Sequence, residues 1–237
     1  MTTTDDGAQK VWRYMNFARF VWLLQRKQLW MSRIDLLGDP WELALAGKQL
    51  GHVIRMAPIT PVGESPREDA KERAERIIRD WRRRTFVSCR SASDHESHAL
   101  WRIYCRSAEG VALQTTMGRL RQSLKGLSIH HVTYCEPGSN SQTPTLTQLA
   151  TEKRPMFWYE QEVRVLLPVD ERKVLDATKD TIGQGLEWDP EVALENIWVH
   201  PDADYSFMQT VTDVVEHYAP ALKSNIWWSA MQGRPPF

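Results

Sequence analysis

The chain has 237 residues, 42% of them hydrophobic, and 30 Lys plus Arg balance 30 Asp plus Glu. That length buries a substantial core, so residues 1–10 read as a flexible tail and 11–237 as a single α+β domain. Zero formal charge excludes a whole-molecule field toward nucleic acid or membranes, and any nucleic-acid surface has to be a local patch.

In chain order, Val11 to Met15 reads as a short strand, and Asn16 as the cap of a helix carrying Phe17, Phe20, Val21 and Leu24 at helical spacing. A second strand follows at Gln28 to Ile34, then a turn-rich loop, Asp35 to Glu42, that leads into a helix start. Residues 57–66 form a proline-rich linker. Ser65-Pro66-Arg67-Glu68 then supplies a cap, a proline at the first helical position and a capping-box glutamate for a helix with Ala70, Ala74, Ile77, Ile78 and Trp81 as its buried stripe.

Thr85 to Cys89 reads as a buried strand, His98 to Cys105 as a short helix and Gly110 to Thr115 as a strand. Thr116 to Lys125 has the pattern of an amphipathic helix, Leu127 to Cys135 that of an alternating strand, and 136–145 that of an exposed loop. After a short helix come a strand at Glu162 to Leu167, a glycine-containing connection at 183–185, a strand at Asn196 to His200 and a helix from Tyr205 to Tyr218. Helices and strands mix without regular βαβ repetition. The predicted class is therefore α+β, with a mixed, mostly antiparallel central sheet, flanking helices and a ligand cleft.

Cys89, Cys105 and Cys135 lack any CxxC spacing, which argues against a disulfide framework or a structural zinc site. With no apolar run long enough to span a bilayer, the expectation is a soluble, cytoplasmic protein with no membrane partner. His95 and His98, with Asp94 and Glu96, form a short HxxH pattern that lacks a companion ligand, so no metal is assigned.

The most informative stretch is Trp158 to Leu167. Alternation puts Glu160, Glu162 and Arg164 on one face of a strand and Val163, Val165 and Leu167 on the other. Three inward charges have to be paired, so the stretch is either an ion-pair ladder or a ligand site.

Trp12-Arg13-Tyr14, Leu29-Trp30-Met31-Ser32, Gly38-Asp39-Pro40-Trp41-Glu42, Phe86-Val87-Ser88-Cys89, Leu100-Trp101-Arg102-Ile103-Tyr104, Gly110-Val111-Ala112-Leu113 and Trp158 to Arg164 occur in an order that resembles the bacterial and phage family known as domain of unknown function 2971. The resemblance covers roughly residues 11–218. Gly38 stands where that family has Asn, and Trp101 to Tyr104 lacks its usual small or histidine residue.

The layout is more distantly similar to the ADP-ribosyltransferase fold. That similarity places Arg13, Ser32 or Ser88, and Glu162 in the arginine, serine and glutamate positions of one clade, and Glu160-Gln161-Glu162 in a Glu-x-Glu pattern. It implies NAD as substrate, a nucleotide ligand, a macromolecular acceptor of protein or nucleic acid, and a role as a toxin or phage-defence effector.

In such a reaction Glu162 would stabilise an oxocarbenium-like ribose, and Glu160 would orient or deprotonate the acceptor. Arg13 or Arg33 would grip the pyrophosphate, with Tyr14, Trp30 or Tyr104 stacking on the nicotinamide. The predicted binding set is Arg13, Tyr14, Ser32, Arg33, Ser88, Arg90, Tyr104 and Arg164. Two alternatives stand beside it: a metal-dependent nuclease built on Asp39, Glu42, Glu160 and Glu162, and a non-catalytic module binding a nucleotide or peptide. Open convergence of the acids with Arg13 and Arg33 favours NAD chemistry, and mutually saturated salt bridges favour a scaffold.

Overall fold

A computed structural model describes residues 6–45, 51, 70–139, 144–167 and 181–233. The expected linker at 57–66 and the capping box at 65–68 lie outside the described residues. The strands are β1 (Lys10–Asn16), β2 (Gln28–Arg33), β3 (Phe86–Ala92), β4 (Gly110–Thr116), β5 (Ser128–His131), β6 (Thr133–Tyr134), β7 (Glu152–Lys153), β8 (Glu162–Leu167), β9 (Gly183–Glu187), β10 (Asn196–Val199) and β11 (Ile226–Trp228). The helices are α1 (Phe17–Arg26), α2 (Ala70–Arg84), α3 (His98–Tyr104), α4 (Met117–Ser123), α5 (Leu146–Ala150), α6 (Pro190–Ala193) and α7 (Tyr205–Tyr218).

Side-chain caps set many helix starts. Asn16, Ser97, Thr116, Thr145, Asp189 and Asp204 each accept a hydrogen bond from a backbone N–H of the first turn, which satisfies donors that have no intrahelical partner. The main sheet runs β11-β10-β4-β1-β3-β2-β9, with β8 on β3 and β5 on β8. Its pairs are antiparallel except β10 with β11, so the structure shows the mostly antiparallel α+β architecture read from the sequence.

β3 is the branch point. Its start pairs with β2 (Arg33 opposite Phe86, Ser32 opposite Val87) and its end with β1 (Trp12 opposite Ser91, Val11 opposite Ala92). Its other edge carries β8 along its length. β1 and β2 therefore diverge, and Ser88, Cys89 and Arg90 lie between them.

Period-two alternation gives the sheet two distinct faces. On the core face, Val11, Met15, Val111, Leu113, Val163 and Val165 join Phe20, Leu23 and Leu24 of α1 and Val211 and Val215 of α7 in the main hydrophobic cluster. On the front face, Trp12, Tyr14 and Ala112 pack against Leu100 and Trp101 of α3, while Val87 and Leu166 pack against Leu149 and Ala150 of α5. Trp12 opposite Ser91, and Val87 opposite Leu166, tie these two smaller clusters to the same side.

Two local expectations are corrected. The strand foreseen at Leu127 to Cys135 breaks at Val132, whose N–H turns to the Glu162 carbonyl at 2.9 Å while Thr133 N–H turns to the Thr151 carbonyl at 2.8 Å. The connection at 183–185 is strand β9. A Cβ at Gly183 would lie 2.5 Å from the Met31 carbonyl oxygen, and one at Gly185 2.3 Å from Gln28 Oε1, so glycine allows β9 to lie against β2. The turn expected at Asp39 to Glu42 is present, with Asp39 Oδ1 accepting from Trp41 N–H at 3.0 Å, and residues 46–50 that follow lie outside the described ones.

At the N-terminal end, Asp6 pairs with Arg121 and lies 3.6 Å from His131 Nε2, while the Gly7 carbonyl accepts from Gly118 N–H at 2.9 Å. No helix among the described residues is long and apolar enough to cross a membrane.

Candidate functional site

A six-residue 3₁₀ segment, Pro155–Glu160, ends at Gln161, whose backbone is left-handed (φ 43°), before the chain enters β8. That turn sets Glu160 beside Glu162 rather than one strand step away. Lys153 of β7 lies between them, its Nζ donating to Glu160 Oε2 at 2.6 Å and to Glu162 Oε2 at 2.9 Å. Behind Glu162, the fully buried Arg164 guanidinium donates to both of its oxygens at 2.8 and 3.2 Å, to both Glu42 oxygens at 2.7 Å, and to the Ala150 carbonyl at 2.7 Å.

The 39–42 turn is held to the front face twice. Glu42 binds Arg164, and Asp39 takes a bidentate pair from Arg154 at 2.8 and 3.2 Å. The four carboxylates and Arg164 are buried, so each is tolerated only because donors and acceptors are matched around it.

Glu160 and Glu162 differ in proton affinity. Burial would raise Glu162, but the charge and hydrogen bonds of Arg164, helped by Lys153, outweigh it and hold the carboxyl at about 2. Glu160 is raised above its ordinary value, because burial exceeds the opposing pull of Lys153. The Cys89 thiol is pushed well up by burial and then by the Glu162 charge, which keeps it protonated and no nucleophile. Tyr134 accepts the Glu162 N–H at 2.8 Å, and its phenol is pushed up to about 12, first by desolvation.

Aromatic side chains rim this cluster. Tyr104 is 43% exposed, and its phenol is raised by desolvation and then by the Glu160 charge. Trp41 is 46% exposed with the Arg154 guanidinium 5.9 Å from its ring, and Trp158, 64% exposed, precedes Glu160 by two residues. A polar cavity of about 350 Å³, lined by Ser93, Asp94, His131, Tyr134, Gln161 and Glu162 among others, opens where β8 begins.

The structure brings together Glu160, Glu162, Arg164 and Tyr104 of the predicted set. Tyr14 shares their face but is buried under α3, its hydroxyl accepting from Ser97 N–H at 2.7 Å and its ring edge-on to Trp101 at 5.0 Å. Ser32 is half-buried on the front face of β2, opposite Val87.

Arg13, Arg33, Ser88 and Arg90 are not part of this gathering. Alternation sends them to the core face, where Arg13 donates to Ser88 Oγ at 2.7 Å and to the Trp30 carbonyl at 3.3 Å. Arg33 pairs there with Asp35 at 2.6 Å and donates to the Thr181 carbonyl at 2.9 Å. Convergence of the acids with Arg13 and Arg33 is thus not what the geometry shows.

The carboxylates named for the nuclease alternative do gather, but Arg154, Arg164 and Lys153 fill their oxygens. Among the described residues no group of three or more His, Cys, Asp or Glu has a metal-holding arrangement. Glu96 of the HxxH segment instead accepts from Trp101 Nε1 at 3.0 Å and Ser229 Oγ at 2.6 Å.

Sequence reasoning missed Lys153 and Arg154. The signal was present, since Glu152-Lys153-Arg154-Pro155 directly precedes the aromatic and acidic run and supplies the cations that two adjacent buried carboxylates require.

No family model matches the chain, and no curated protein matches it, so the likeness to the domain of unknown function 2971 rests on the motifs quoted above. Among solved structures the chain is similar to DarT of Thermus sp. 2.9, solved in complex with ADP-ribosylated ssDNA. The identity is 11%, 98% of each chain is covered, and the TM-score is 0.42. A score that low says nothing about the site.

Proposed function

We propose that the protein is an ADP-ribosyltransferase-like, NAD-consuming enzyme whose reaction centre is the front-face carboxylate cluster. One observation carries the reading. Three carboxylates, Glu42, Glu160 and Glu162, share two cations, Arg164 and Lys153, so the cluster holds one negative charge in excess. That excess sits under an exposed aromatic rim where a nucleotide can stack.

A buried excess of negative charge stabilises positive charge that develops nearby. Cleavage of the bond between ribose and nicotinamide sends the bonding pair to nicotinamide and leaves an oxocarbenium-like ribose. An acceptor oxygen or nitrogen then attacks that carbon, and its proton passes to Glu160, the member of the cluster whose proton affinity is raised. Glu162, pinned and ionised, supplies field and fixes Lys153 rather than meeting the substrate.

The test is nicotinamide release from NAD with protein and ssDNA acceptors supplied. Glu160→Gln is the informative variant, because Glu162→Gln would strip Arg164 of a buried partner and report on folding instead. The expected result is a loss of about 10²–10⁴-fold in rate with an unchanged Tm. If no acceptor supports nicotinamide release, the catalytic reading falls.

A second reading is favoured by the saturation of Glu162 and Arg164, which makes the cluster a rigid floor for a non-catalytic nucleotide-binding surface. It predicts that NAD raises Tm without being consumed.

A further inference from the structure

The core face holds charge that nothing among the described residues answers. Arg90 is 3% exposed, and its Nε, Nη1 and Nη2 atoms all lack a hydrogen-bond partner among the described residues. Its guanidinium carbon stands 5.5 Å from the centre of the Trp188 ring, which covers one flat side and leaves the in-plane N–H groups free. Leaving so many buried donors unmet costs several kcal/mol, and native proteins rarely accept it without an external partner.

A second guanidinium deepens the imbalance. Arg13 lies one step along β1 from the Trp12–Ser91 pair, toward Arg90, and its two hydrogen bonds go to the Ser88 hydroxyl and the Trp30 carbonyl, both neutral. Burial, and then the neighbouring Arg13 charge, pull the Arg90 guanidinium well below its ordinary value. Ser88, 1% exposed, accepts from Arg13 and keeps its own hydroxyl proton to donate. All three residues lie where β1 and β2 part, so the cradle is framed by backbone that the sheet topology fixes.

We infer that Arg90, Arg13 and Ser88 form a phosphate-binding site on the core face, separate from the front-face cluster. Two guanidinium forks and a hydroxyl match a tetrahedral dianion in charge and in donor count. A chloride or carboxylate would leave one positive charge unanswered, and a nucleic-acid strand cannot reach a side chain this deep. Arg13 is half-buried and the more exposed of the two.

The test uses the full chain, dialysed free of phosphate, with thermal unfolding followed as inorganic phosphate or AMP is added against sodium chloride at equal ionic strength. A site filled to a hundred times its Kd raises Tm on the order of 5–10 °C. Phosphate acting alone identifies the free ion, and an equal response to AMP identifies the phosphate group of a nucleotide.

Arg90→Met should abolish the response, and Ser88→Ala, which leaves both guanidinium groups in place, should weaken Kd severalfold. Glu160→Gln should respond as the parent does, even if NAD turnover is never found. A Tm that rises no more with phosphate or AMP than with chloride, or an equal rise in Arg90→Met, overturns the site.

Discussion

Two arginines on adjacent strands of one sheet, equally deep, keep opposite company. Arg164 of β8 faces the front and is matched on every side by Glu42, Glu162 and the Ala150 carbonyl. Arg90 of β3 faces the core and is matched by none among the described residues. Depth does not separate them, since they are 0% and 3% exposed. A buried guanidinium is tolerable when charge and hydrogen bonds surround it, and here the chain supplies that surround from its own turn, strand and helix for one residue only.

The largest expected effect breaks the matched side. Arg164→Met leaves Glu42 and Glu162 buried without their main counter-charge and should cost about 3–5 kcal/mol in urea unfolding. Arg90→Met in phosphate-free buffer removes an unanswered charge and should be neutral or stabilising. Equal losses from both would erase the distinction between the two faces.

Acid gives the next effect. Glu162 is held at about 2 in the fold against an ordinary 4.5, so its contribution is fully present above 4.5 and is lost as the pH falls toward 2. The shift corresponds to at most about 3 kcal/mol, read as a falling urea midpoint between those pH values. Glu160 works with the opposite sign: raised in the fold, it favours the protonated protein, so the slope should be shallower than Glu162 alone would give. A midpoint that stays flat from pH 5 to 2 would remove Arg164 and Lys153 as the anchors of Glu162.

Much of this architecture was legible because local rules and the fold agreed. Asn16 caps α1 as its position before Phe17 foretells, and the Val163-Val165-Leu167 stripe reaches the core as alternation requires. The same alternation, applied to β8, set Glu162 and Arg164 on one face, whereas Glu160 joins them through the turn at Gln161 rather than through the strand.

What it could not supply was the relation between strands. Arg13 and Glu162 each lie on a well-read strand, but which face of β1 meets which face of β8 depends on the Trp12–Ser91 and Ser91–Glu162 registers. One step along β1 separates Trp12, in line with Glu162, from Arg13 on the far side. Lys153 was hidden for a different reason: it arrives on a two-residue strand too short to leave a periodic trace.

The smallest expected effect concerns a pair with the same chemistry in another setting. Asp6 and Arg121 make a bidentate ion pair, yet Arg121 is exposed and Asp6 only half-buried, so water screens the attraction and chain entropy opposes it. Asp6→Asn should cost roughly 0.2–1 kcal/mol at low salt, and the cost should shrink in 1 M sodium chloride, where the screening length falls to about 3 Å. Glu42→Gln, which disturbs a bidentate pair with no exposed atom to screen, should keep most of its cost in that salt. Salt dependence therefore separates the pairs that hold the front face together from those that decorate the surface, independently of any ligand.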